Sequence, residues 1–146
     1  MHWSDVAPVV AALLALTLKE TFSALTEDQI RLGFHVMTNL CITRSGTSSD
    51  AVEAALKGDF SEDYDFKCFT KCAMAFMRST ENGKFNSEIA KVLANAVLPD
   101  TIKHSALDAV DKCKNAGHDQ TDECAAAYEV VVCMYKANPK LVEFLI

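Results

Sequence analysis

Six cysteines constrain this chain more than any other feature. They stand at Cys41, Cys68, Cys72, Cys113, Cys124 and Cys133, with 26, 3, 40, 10 and 8 residues between them. An even number in a chain of 146 residues reads as a disulfide framework in an oxidising compartment, and as metal ligands or scattered thiols elsewhere. The N-terminus bears on that choice. Val6 to Leu18 (VAPVVAALLALTL) carries no charge and is shorter than the roughly 20 residues needed to span a bilayer. That length suits the apolar region of a secretory signal peptide. Thr21 and Ser23 supply small residues for a cut before Ala24, although MHWSDV lacks Lys and Arg. The expectation is a signal peptide over residues 1–23, a helical domain over 24–146, and a secreted, extracellular protein.

Composition narrows the partners. The formal net charge of −6 offers no basic footprint for nucleic acid or an anionic membrane surface. No polybasic run, Pro/Gly/Ser-rich linker or internal repeat divides the chain, so residues 24–146 read as one domain.

Apolar periodicity makes that domain helical throughout. Thr26 and Gln29 form a T-x-x-Q capping pattern that opens a first helix, with Ile30, Phe34, Met37 and Cys41 on one face. That helix is expected to end near Cys41. Further helices are expected over about 49–56, 63–77, 87–96, 101–114 and 121–137. Gly58, Asn82-Gly83, Pro99 and Pro139 mark the breaks. Cys68 and Cys72 lie one turn apart and share a face. Cys124 and Cys133, at about 100° per residue, lie on opposite sides of one helix and so reach different neighbours. Fifteen pairings remain open on sequence arithmetic alone.

The spacing as a set resembles the six-cysteine insect odorant-binding and pheromone-binding protein family. The LTEDQI segment, the stretch from Cys41 through RSGTSSDAV, KGDF at Lys57 to Phe60, and the ending CMYKANPKLVEFLI add to it. The resemblance covers essentially all of residues 24–146. It implies an all-α, six-helix, disulfide-stapled domain enclosing an apolar ligand cavity, with bridges Cys41–Cys72, Cys68–Cys124 and Cys113–Cys133. The implied role is to carry small apolar molecules, odorants or pheromones, through aqueous fluid toward a membrane odorant receptor, as a monomer or weak homodimer. A carrier of a non-olfactory lipid or hormone is the alternative, followed by a helical interaction module.

Stapled helices tolerate an internal void that packing alone supports poorly. Candidate lining residues are Phe34 and Met37, then Val52 and Leu56, then the stripe Phe69, Ala73, Phe76 and Met77. Leu93, Val97, Ala106 and Val110 add further walls, and Tyr128, Val131 and Tyr135 line the Cys124 side of the last helix. Methionine contributes an adaptable thioether. The apolar ending, with Phe144, Leu145 and Ile146, is expected to pack back as a lid, as short tails do in the family. Some relatives place a tyrosine directly after the second cysteine, where its hydroxyl helps anchor the terminal carboxylate. Here Phe69 occupies that position, and Arg44 and Arg78 read as ordinary surface arginines. His35, His104 and His118 are candidates for a pH response, with a solvated histidine as the blander reading, above all for His118.

Enzyme signatures are lacking: there is no Gly-x-Ser-x-Gly, glycine-rich phosphate loop or His-Glu-x-x-His. No cofactor or metal is expected, since the thiols are committed to bridges and no Cys-x-x-Cys knuckle occurs.

Overall fold

The computed structural model describes residues 7–13 and 24–141. Residues 7–13 form a short helical stretch that is exposed throughout. The expectations placed on Phe144, Leu145 and Ile146 lie outside the described residues.

Residues 24–141 form six α-helices: α1 (Glu27–Ser45), α2 (Ser49–Leu56), α3 (Tyr64–Phe76), α4 (Ser87–Val97), α5 (Asp100–Lys112) and α6 (Glu123–Ala137). A two-residue hairpin, β1 (Thr80–Glu81) and β2 (Lys84–Phe85), joins α3 to α4. Their ends follow from local chemistry. Thr26 Oγ1 accepts from Gln29 N at 3.2 Å while Gln29 Oε1 accepts from Thr26 N at 2.9 Å, so two orphan donors of α1 are satisfied reciprocally. Ser48, Asn86 and Asp122 cap α2, α4 and α6 through side-chain oxygens. Asn82 and Gly83 both adopt left-handed backbone, at φ 51° and 73°, the geometry that matches a tight turn to strand twist.

One boundary departs from the sequence-based expectation. The first helix continues past Cys41 to Ser45, because nothing in Cys41-Ile42-Thr43-Arg44 breaks it. It stops at Gly46, whose backbone is left-handed and whose N–H bonds Ile42 O at 3.0 Å.

Three bridges join these elements. Cys41–Cys72 ties α1 to α3, Cys68–Cys124 ties α3 to α6, and Cys113–Cys133 ties the end of α5 to α6. No described cysteine is free. α3 and α6 are therefore each bridged to two neighbours, and they also form the most extensive helix–helix packing. α1 packs on α3, α4 packs on α5, and α5 packs on α6. The bridges close separations of 31, 56 and 20 residues. Each stabilises the fold by roughly 3–4 kcal/mol in the chain-entropy picture.

Candidate functional site

Two apolar clusters draw on the α3–α6 pair. The first gathers Met37 and Cys41 of α1, Val52 of α2, and Phe66, Phe69 and Ala73 of α3, with Phe34, Ile42, Phe60 and Tyr128 packed against it. The second gathers Met74, Phe85, Val110, Ala127 and Val130, with Val131 and Met134 at its edge. α3 contributes to both because Ala73 and Met74 are consecutive, about 100° apart on the helix.

Six of the expected lining residues converge on the first cluster: Phe34, Met37, Val52, Phe69, Ala73 and Tyr128. Val110 and Val131 belong to the second. Ala106 is buried, while Leu56, Leu93, Val97 and Tyr135 are half-buried. Tyr135 makes an edge contact with Phe60 at 5.3 Å. It also lies against Gly58, where a Cβ would come within 2.8 Å of the phenol oxygen on a backbone already at φ 90°.

The stripe on α3 does not face inward as a unit. Phe69 and Ala73 are buried, but Phe76 and Met77 are 47 % and 53 % exposed. The helix ends at Phe76 with Met77 as its C-cap, where it has run past the edge of the first cluster. Phe76 instead forms a wall of an open cleft of about 340 Å³ with Arg44, Ser45, Cys68, Lys71, Cys72 and Ala75. Lys71 is engaged there by Glu123 at 2.6 Å, which holds its ammonium pKa above the ordinary lysine value. A second open cleft, of about 580 Å³, runs between the end of α5 and the outer side of α6.

Phe66 is the residue that periodicity left out. It is 1 % exposed, stacks on Phe69 at 5.8 Å and receives the Tyr128 ring edge-on at 6.3 Å. Its signal was present: Phe66, Phe69 and Ala73 stand at i, i+3 and i+7 on one face. Phe60, in the loop before α3, carried no periodic signal.

A polar latch borders the first cluster. Tyr128 Oη donates to Glu62 Oε1 at 3.0 Å, and Lys67 Nζ pairs with Glu62 Oε2 at 2.9 Å. Hydrogen bonds from Lys67 and then Tyr128 hold the Glu62 carboxyl below the usual range. Burial, followed by that carboxylate, pushes the Tyr128 phenol up. The start of α1 is moored elsewhere: Leu25 N donates to Val97 O at 2.9 Å and Thr101 Oγ1 to Glu27 Oε1 at 3.1 Å. His35 and His104 are exposed, as is His118, whose Nε2 hydrogen-bonds the Phe85 carbonyl at 3.2 Å. Among the described residues, no helix is long and apolar enough to cross a membrane.

A sequence profile of the PBP/GOBP family matches residues 23–137, most of the chain and all six helices. The chain belongs to the PBP/GOBP family. General odorant-binding protein 72 of Anopheles gambiae is 29 % identical over 119 residues, covering 82 % of this chain and 98 % of that protein. Among solved structures, odorant binding protein 5 of Apis mellifera superposes with a TM-score of 0.74 at 25 % identity, covering 81 % of this chain and 96 % of the other. Odorant binding protein 4 of Chrysopa pallens gives a TM-score of 0.74 at 26 % identity, with 80 % and 96 % covered. The PBP/GOBP frame is thus the all-α, three-bridge architecture that the family resemblance implied.

Proposed function

We propose that this protein is a secreted carrier of small apolar molecules, odorants or pheromones, which it moves through aqueous extracellular fluid after loss of residues 1–23. The observation that carries the reading is the convergence of Phe34, Met37, Val52, Phe69, Ala73 and Tyr128, drawn from four helices, on one apolar cluster inside a bridged frame. A ligand seated among those groups is stabilised by the surface it buries, about 25 cal/mol per Å². The methionine thioether and the aromatic faces adapt to chains of different shape. Relatives named as odorant-binding proteins, matched along nearly their whole length, support the same cargo class. Delivery to a membrane receptor and a monomeric or weakly dimeric state complete the proposal.

The experiment is fluorescence titration with phenylnaphthylamine, an apolar dye that brightens in a dry site. A carrier brightens it saturably and releases it to a long-chain alcohol. A solid-cored interaction module leaves the dye dark.

A further inference from the structure

One buried side-chain oxygen, on the half-buried Thr38, lacks a partner. The hydroxyl oxygen of Thr38 is buried and makes no hydrogen bond, and it is the one such side-chain polar atom among the described residues. Buried hydroxyls normally find an acceptor, and in a helix the nearest is a carbonyl of the preceding turn. Other helical residues here take it: Thr43 Oγ1 donates to Asn39 O at 3.1 Å, Thr70 Oγ1 to Lys67 O at 2.6 Å and Ser105 Oγ to Ile102 O at 3.0 Å. Thr38 does not. Of its four neighbours one turn away on α1, Phe34, Cys41 and Ile42 belong to or pack against the Met37 cluster, while His35 is exposed. The orphan donor therefore stands at the border of the first cluster, out of water, where an unmade hydrogen bond is unfavourable.

We infer that Thr38 is the polar anchor of the ligand site, selecting apolar molecules that carry one oxygen (an alcohol, ketone or ester) over hydrocarbons of the same length. This rests on the carrier reading and adds the chemical class of cargo. A ligand oxygen brought to Thr38 Oγ1 satisfies a group the empty protein leaves unpaired, and the net gain of that one bond, after the ligand oxygen has left water, sets the selectivity. A hydrocarbon gains the apolar burial and leaves the hydroxyl as it was.

The test is competition of decanol and of decane against phenylnaphthylamine, on the wild-type protein, Thr38→Val and Thr38→Ser, with circular dichroism confirming that each is folded. Val keeps the shape and removes the hydroxyl, whereas Ser keeps the hydroxyl. The decanol-to-decane affinity ratio is expected to fall about three- to tenfold in Thr38→Val, the range of one hydrogen bond, and to stay within about twofold in Thr38→Ser. An unchanged or increased ratio in Thr38→Val overturns the inference, as does an equal fall in Thr38→Ser. A wild-type protein that brightens no dye at all is a different result: it overturns the carrier reading, and this inference with it.

Discussion

Tyr128 of α6 donates its phenolic hydrogen to Glu62 at 3.0 Å across 66 positions of chain, and Lys67 reaches both partners. The ammonium of Lys67 pairs with that carboxylate and lies 5.1 Å from the centre of the Tyr128 ring. The loop before α3 is thereby fastened over the first apolar cluster by one carboxylate, one cation and one ring. Tyr128→Phe keeps the ring and the Lys67–Glu62 pair and removes the hydrogen bond from residue 128 to Glu62. Because the Glu62 carboxylate that accepts this bond is largely solvent-exposed, the unfolding midpoint should fall only slightly. Dye dissociation in stopped flow should quicken. An unchanged off-rate would mean that the loop does not gate the site.

Acid should open the same latch, and the sign is set by Glu62. Its carboxyl is held low by Lys67 and Tyr128, so the contribution of these contacts is complete above the ordinary carboxylate value, about pH 4, and is lost as pH falls through the lower folded value. Asp122 behaves alike, through the Ala125 N–H and then the Tyr64 hydroxyl. Unfolding midpoints measured against pH should show this component flat from pH 7 to 5 and falling below about pH 4, with a shallower fall in Glu62→Gln. A Glu62→Gln protein with the wild-type acid slope would exclude this latch as the cause.

Phe69 and Phe76 separate core from rim on one helix. Phe69 is 7 % exposed within the first cluster and Phe76 is 47 % exposed at the end of α3. Phe69→Ala should cost about 3–5 kcal/mol in urea unfolding. Phe76→Ala should cost under about 1 kcal/mol. Dye affinity in the folded fraction should follow the same order. Loss of affinity in Phe76→Ala with Phe69→Ala unaffected would move the binding site to the open cleft beside Arg44.

The bridges give a further expectation. Cys68–Cys124 joins the two helices with the most extensive mutual packing and closes the longest loop, 56 residues. The double substitution Cys68→Ser and Cys124→Ser should lower stability by roughly 4 kcal/mol. Removing Cys113–Cys133, which closes 20 residues, should cost less. Calorimetry of the two variants checks the order, and a reversal would show that loop length does not govern it.

Much of this frame was legible because it depends on local chemistry. Thr26 with Gln29, the Asn82-Gly83 turn and the breaks at Pro99 and Pro139 each act within a few residues and stand where their side chains require. The pairing of the bridges came from the family spacing and agrees with the structure in all three cases. The direction of side chains was less legible. Periodicity places Phe69, Ala73, Phe76 and Met77 on adjoining turns, yet it cannot say where the body under a helix ends. Phe76 and Met77 overhang that edge. α1 shows the same limit, with Leu32, Val36 and Leu40 exposed at four-residue steps on one side and Met37 and Cys41 buried on another. Two apolar faces on one helix blur the signal that would single out the inner one. The Tyr128–Glu62 contact joins residues far apart in sequence, and no local pattern announces it.

The most direct measurement is a methyl spectrum of protein labelled at its methionine and valine methyl groups, recorded with and without saturating decanol. Met37 and Val52 lie in the first cluster, while Val92 is 68 % exposed on α4. Binding inside the bridged frame predicts large shifts at Met37 and Val52 and none at Val92. Saturable binding that leaves Met37 and Val52 in place would contradict an internal site centred on Met37.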